Sequence, residues 1–306
     1  MTRGPVAALD CGTNSVRLLI LSDTGEPLDR RMAITRLGEG VDATGRLSRE
    51  AVDRTAAVLA GYRRAMDEAG VVRTRMTATS AARDAANAEA FFEIAERVVG
   101  ARPELLSGEE EGQISFRGAA AELEAGSTAL VADVGGGSTE LALGTPPGDP
   151  DGVVSVALGC VRLTERYLHH DPPLAGELAA ARREVAQRLA EAESALPGLR
   201  SASQLVGLAG TVTTLAALEL GLVRYDRDRV HHMHLPADRV LEWSDRLAAD
   251  EAGQRARRPG MEPARVGTIV GGSLIVSELV RRLGYDGLVV SESDILDGLA
   301  RSILPS

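Results

Sequence analysis

The run Val131-Ala132-Asp133-Val134-Gly135-Gly136-Gly137-Ser138-Thr139-Glu140 constrains this chain more than any other. Apolar residues lead into an aspartate, then glycines, a hydroxyl residue and a glutamate. Glycines let the backbone approach a ligand closely and adopt φ values that other residues avoid. Successive backbone N–H groups in such a turn form a concave anion site. A phosphate fits there, and the carboxylates at its two ends, Asp133 and Glu140, can hold a divalent metal against it. A plain β-hairpin with a glycine turn would account for the glycines but not for the flanking carboxylates.

The same idea recurs at the N-terminus. Val6-Ala7-Ala8-Leu9 leads into Asp10-Cys11-Gly12-Thr13-Asn14-Ser15, and Val16 to Leu21 follows. A buried-looking strand again ends in an aspartate and a small polar turn before a strand resumes. Asp10 alone would read as a turn-forming residue. The recurrence points instead to two related lobes with a phosphate-binding cleft between them.

The bulk numbers agree with a globular chain. At 306 residues it is long enough for two domains. A hydrophobic content of 44% is ordinary for a globular protein, and no apolar run reaches membrane-spanning length. Met1 to Pro5 leads straight into the first strand without a signal-peptide pattern. Cys11 and Cys160 lack metal-ligand spacing, so reduced thiols and a cytoplasmic location are expected. The net charge of −10 argues against nucleic-acid binding. A phosphate site must then collect its positive charge locally. The sequence contains no lysine, so any side-chain clamp on phosphate is an arginine, which suits bidentate contacts.

Strand and helix alternate along the chain, as expected of α/β lobes. Ile34 to Val41 is a Gly-rich loop. Ser48 reads as an N-cap for a helix that Gly70 closes. Met76 to Ser80 ends a strand, a helix then runs to about Val99, and Glu104 to Leu106 is a short strand. A helix starts in Glu109-Glu110-Glu111. The second lobe begins near Ala125, which gives boundaries of 1–124 and 125–306. It contains a loop at Thr145 to Gly152, a strand at Val153 to Leu158, and a buried strand, Leu205 to Ala209, running into Gly210-Thr211. Val266 to Val276 holds Gly271-Gly272-Ser273, and a final helix spans about Asp294 to Ile303.

These segments resemble the Ppx/GppA phosphatases, within the superfamily of sugar kinases, heat-shock protein 70 and actin. The resemblance rests on Asp10 to Ser15, Ala78 to Asp84, Ser107 to Glu111, Asp133 to Glu140 and Gly207 to Leu215, in the family's order over nearly the whole chain. It implies an α/β fold of two actin-like (ribonuclease H-like) lobes. It implies release of the terminal phosphate of inorganic polyphosphate, or of guanosine pentaphosphate, with Mg²⁺ or Mn²⁺. It also implies a homodimer. Longer members carry a further helical domain, so the chain looks like the short, two-domain form. The low aromatic content of 3% favours polyphosphate over a guanine-containing substrate. A non-catalytic polyphosphate or alarmone sensor is the alternative from another class; Glu111, Asp133 and Glu140 argue against it.

The resemblance also assigns roles. Glu111 matches the family's catalytic glutamate, and water attacking phosphorus needs a positioned proton acceptor. Crowding by Glu109 and Glu110 is expected to raise a carboxylate pKa. Asp133 and Glu140 resemble metal-holding residues, and Asp10 adds a contact through water. Gly135, Gly136, Gly137 and Ser138 would cradle phosphoryl oxygens, with Gly12, Thr13, Asn14 and Ser15 facing them. Arg83 is the candidate clamp on the phosphate or transition state. Gly210 and Thr211 open a helix whose N-terminus either binds a further phosphate or packs closely. His231, His232 and His234 are read as a solvated loop or a metal site. Arg255, Arg257 and Arg258 either attract polyphosphate or form an ordinary exposed face, and the second reading is favoured because charge runs usually are solvated.

Overall fold

The computed structural model describes residues 4–304, which divide into two compact units. One takes the chain up to Gly118 together with Ile295 onwards, and the other is Ala119–Asp294.

The first unit is built on strands β1 (Val6–Cys11), β2 (Ser15–Leu21), β3 (Pro27–Ile34), β4 (Arg73–Ala78) and β5 (Glu104–Leu105). Their order is β3-β2-β1-β4-β5. The first three form an antiparallel meander, and β4 and β5 join parallel. Strand β1 lies in the middle and is buried throughout, which explains its unbroken apolar sequence. Ala7, Leu9 and Cys11 face the core formed with helices Arg49–Glu68 and Ala88–Val99. Val6 and Ala8 face the other way, onto Leu106, Ile114, Ile295 and Leu299. This alternation is the period-two geometry of a strand with both faces covered. Ser48 caps the first long helix as expected, its hydroxyl accepting from Ala51 N–H at 3.2 Å.

The second unit repeats the plan with β6 (Ala129–Val134), β7 (Thr139–Gly144), β8 (Pro150–Val156), β9 (Gln204–Leu208), β10 (His234–Pro236) and β11 (Gly287–Val290). Its order is β10-β11-β9-β6-β7-β8. Read from β8, the meander β8-β7-β6 followed by parallel β9 and β11 reproduces the first unit, with β10 added at the edge. This repeated order is the two actin-like lobes that the sequence led us to expect. Helix Ile269–Leu283 runs through the core of the unit, buried along nearly its whole length. Gly271 and Gly272 serve that packing: an added Cβ would meet Thr164 Oγ1 at 2.5 Å and Thr211 Oγ1 at 2.3 Å respectively.

Several details differ from the linear reading. The helix expected to run to about Val99 is two helices, Ser80–Arg83 and Ala88–Val99. Strand β8 starts at Pro150, inside the expected surface loop. The boundaries 1–124 and 125–306 place the last helix in the C-terminal lobe, whereas Ile295–Ser302 packs on β1 and β2 in the first unit. Its apolar face is continuous with that of Ile114, and a linear reading of element order cannot see such a return.

Gly298 makes the return close. A Cβ there would stand 2.3 Å from the Ile114 carbonyl oxygen. Gly298→Val should therefore destabilise the first unit by about 1–3 kcal/mol, the cost of overpacking. A urea unfolding curve with unchanged midpoint would refute this packing.

Candidate active site

The two hairpin turns have the same construction. In β1 and β2, Asp10 stands opposite Arg17, and Gly12 N–H donates to the Ser15 carbonyl at 3.0 Å. In β6 and β7, Asp133 stands opposite Glu140, and Gly135 N–H donates to the Ser138 carbonyl at 3.0 Å.

In both turns the carbonyls are tied back. Cys160 N–H donates to the Gly135 carbonyl at 3.0 Å, Val161 N–H to that of Gly136 at 2.9 Å, and Arg162 Nε to that of Gly137 at 2.7 Å. The start of helix Cys160–Tyr167 thus uses its unpaired N–H groups on the loop. Among the described residues the N–H groups of Gly136 and Gly137 donate to no protein acceptor. In the first unit, Thr35 and Arg36 N–H groups donate to the Asn14 carbonyl at 3.1 and 2.9 Å, and Gly38 N–H to that of Thr13 at 2.8 Å. The N–H groups of Thr13 and Asn14 likewise have no acceptor among the described residues. The buried Thr13 Oγ1, a hydroxyl able to donate, also lacks a hydrogen-bond partner. Each turn therefore presents donors, which is the chemistry of an anion cradle.

The residue opposite each aspartate distinguishes the two turns. Arg17 closes on Asp10, with Nη2 at 2.8 Å and Nε at 3.2 Å from Oδ2. Glu140 occupies the equivalent position in the second unit, so two carboxylates share one face of the hairpin. Both are buried, Asp133 at 7% and Glu140 at 1% exposure, and Ser155 donates to Glu140 Oε1 at 2.7 Å. Hard oxygen donors at adjacent positions fit a divalent cation such as Mg²⁺. Asp10 is already held by an arginine, which suits a contact through water better than direct coordination.

The three consecutive glutamates have three separate fates. Glu109 reaches Gln113. Glu110 closes a capping box with Ser107: its Oε2 accepts from Ser107 N–H and hydroxyl, both at 2.8 Å, while the Ser107 hydroxyl accepts from Glu110 N–H at 3.2 Å. Glu111 turns to Arg83, whose Nη1 lies 2.7 Å from Oε2. The expectation that crowding raises a carboxylate pKa is corrected for Glu110. The Ser107 N–H, then its hydroxyl, stabilise the charged form and hold that carboxyl below its ordinary value.

Gly210 and Thr211 open helix Ala209–Glu219 at the end of β9. Ala209 has φ +67, in the left-handed region where a non-glycine residue is strained. The Arg265 guanidinium lies against Gly210; a Cβ there would fall 1.8 Å from Nη1. Arg265, Arg17 and Gly159 were not singled out in the sequence. Gly159 allows the helix to close on the loop, since a Cβ would sit 2.3 Å from both the carbonyl carbon and the oxygen of Gly136.

The other expected clusters separate. His231 and His232 stack with centroids 3.8 Å apart, whereas His234 lies in β10. Glu122, His231 and His232 bring potential ligand atoms within 4.8 Å of one another. His231 Nδ1 accepts from Glu292 N–H at 3.0 Å, which leaves its proton on Nε2, directed at Glu122 Oε2 at 2.7 Å. A metal at that Nε2 would have to displace the proton, so the cluster as built is a hydrogen-bond relay. The exposed-face reading of the arginines holds for Arg257 but is corrected for Arg255. That side chain is buried, bonded to the Leu247 and Asp250 carbonyls and paired with Asp171. Arg258 pairs with Asp250 and lies over Trp243. Cys11 and Cys160 are buried thiols whose pKa values burial raises, which keeps them protonated.

Comparisons with known proteins find relatives over nearly the whole chain. The model of the Ppx/GppA phosphatase family matches residues 22–306. Exopolyphosphatase 2 of Mycobacterium tuberculosis is 46% identical over 316 residues, covering 97% of this chain and 98% of that one. The crystal structure of an exopolyphosphatase-like protein superposes with a TM-score of 0.94 at 33% identity, over 98% of this chain and 100% of that one. The Aquifex aeolicus member of the Ppx/GppA family superposes with a TM-score of 0.81 at 33% identity, over 98% of each chain.

Gly159→Ala tests the cradle. The added methyl should push the glycine loop from its place and weaken pyrophosphate binding by at least about tenfold, the loss of roughly one charge-assisted hydrogen bond. Calorimetric titration showing unchanged affinity in a folded variant would exclude the loop as the anion site.

Proposed function

This chain belongs to the Ppx/GppA phosphatase family, and from that premise we propose that it is an exopolyphosphatase. It releases terminal orthophosphate from inorganic polyphosphate by direct attack of water. The observation that carries this reading is the glycine turn Gly135–Ser138. Its N–H groups at Gly136 and Gly137 lack acceptors among the described residues, and Asp133 and Glu140 stand in register at its base.

Glu111 acts as general base. It accepts a proton from the attacking water as the new P–O bond forms, and the shortened chain leaves with the electron pair of the broken P–O bond. Backbone donors from Gly136 and Gly137, and from Thr13 and Asn14, stabilise charge on the phosphoryl oxygens where it develops. Gly12, Ser15, Gly135 and Ser138 hold those turns in shape. Asp133 and Glu140 would hold Mg²⁺ or Mn²⁺, with Asp10 contributing through water. When bound, the ion supplies neutralisation of phosphate charge and orientation of water. Gly210 and Thr211 offer helix N-terminal donors for a phosphate farther along the chain. A cytoplasmic homodimer accords with this reading. The structure has no helix long and apolar enough to cross a membrane among its described residues.

Glu111→Gln should lower kcat about 10²–10⁴-fold, the range for a general base, while polyphosphate binding and thermal stability persist. Wild-type turnover in this variant would sink the assignment of the base. Guanosine pentaphosphate, hydrolysed by the same residues, is the competing substrate. Parallel turnover under one Mg²⁺ concentration decides: a higher kcat/KM for the nucleotide would make the chain an alarmone phosphatase. Tight binding of polyphosphate without phosphate release from either substrate would make it a sensor.

The metal assignment has its own test. Asp133→Asn and Glu140→Gln should each raise the Mg²⁺ concentration needed for half-maximal activity, and chelation of the wild type should abolish turnover. Full activity after chelator treatment and removal of the chelated metal would contradict a metal-assisted reaction.

A further inference from the structure

Arg83 was expected to clamp phosphate, yet it is already engaged. It ends the short helix Ser80–Arg83, which starts beside the end of β1, where Thr79 N–H donates to the Cys11 carbonyl at 3.4 Å. Its Nη1 donates twice, to Glu111 Oε2 at 2.7 Å and to the Leu106 carbonyl at 2.8 Å. Leu106 is itself fixed, its N–H donating to the Ala78 carbonyl at the end of β4 at 3.1 Å. Among the described residues, Arg83 Nε and Nη2 donate to no protein atom. The side chain retains 21% exposure and that of Glu111 12%, so the pair stays accessible from solvent.

A guanidinium is a rigid plane. Holding Nη1 between a carboxylate and a tethered carbonyl restricts that plane, and with it the direction of Nη2 and Nε. The unused nitrogens belong to the same fork that grips Glu111.

Resting on the reading of Glu111 as general base, we propose that Arg83 positions base and substrate together: Nη1 holds the Glu111 carboxylate while Nη2 and Nε receive an oxygen of the terminal phosphoryl group. The spacing between proton acceptor and phosphorus is then set by one rigid group rather than by two independent side chains. Such control matters because a misplacement of about 1 Å costs about 10² in rate. Arg83 exchanges no proton in the step. It also places a positive charge 2.7 Å from the Glu111 carboxylate, which must be deprotonated to accept a proton. Lysine retains the charge but offers all its donors from one nitrogen, so it cannot span both partners.

The test compares wild type, Arg83→Lys and Arg83→Ala on polyphosphate across pH. Both variants should lose about 10² or more in kcat. In Arg83→Ala the acid limb of the kcat profile should move to higher pH, by about one unit or more, because the Arg83 charge beside Glu111 is removed. In Arg83→Lys the limb should stay near that of wild type while kcat remains low. Added guanidinium should restore part of the activity of Arg83→Ala but not of Arg83→Lys. A simple clamp would raise KM and leave the acid limb in place. A structural prop would lower Tm with kcat per folded molecule unchanged. Either result overturns the proposal. Undiminished turnover in Glu111→Gln, measured alongside, would overturn the base assignment and this inference with it; normal loss in Glu111→Gln with an unmoved limb in Arg83→Ala overturns this inference alone.

Discussion

The carbonyl groups of two short turns decide what the rest of the structure can do. A tight turn has both donors and acceptors, and an anion site requires the acceptors to be directed elsewhere. In one unit the loop at Thr35–Gly38 takes up the carbonyls of Thr13 and Asn14; in the other the start of helix Cys160–Tyr167 takes up those of Gly135 and Gly136. Different elements meet the same requirement. The close approach of Gly159 to Gly136, and of Gly38 to Thr13, follows from it. Charge then distinguishes the turns. An arginine closes the aspartate of the first, while a glutamate joins the aspartate of the second.

This division reconciles an acidic chain with a polyanionic substrate. The net charge is −10. Several arginines of the candidate site are engaged with protein groups: Arg17 with Asp10, Arg83 with Glu111, Arg162 with the Gly137 carbonyl. In the proposed reaction, attraction for phosphate therefore comes from backbone donors, from the ion held by Asp133 and Glu140, and from the unused edge of Arg83. Local donors of this kind act over a few ångströms and confer geometry, which a transferring phosphoryl group needs more than long-range attraction.

Much of this was legible in the sequence because turn and strand chemistry are local. Asp10 to Ser15 and Asp133 to Glu140 each specify a hairpin from consecutive residues, and both formed. Ser48 identified its helix start because an N-cap acts three residues away. What escaped depends on distant partners. Gly159 has no turn or positive φ to mark it, and only the proximity of Gly136 explains it. Arg265 gains its meaning from Gly210, and the final helix from β1 and β2, to which it returns across the whole chain. The acidic run shows the same limit in miniature. Ser107-Gly108-Glu109-Glu110 spells a capping box, but nothing local says that Glu111 turns toward Arg83.

The most direct test follows the products formed from long-chain polyphosphate by the purified protein with Mg²⁺. Chain length on a gel and orthophosphate in solution are measured together. Orthophosphate is expected from the earliest time points, with the residual polymer shortening from its ends. Mid-length fragments without orthophosphate, or no cleavage at any divalent-metal concentration despite tight binding, would contradict the proposed reaction.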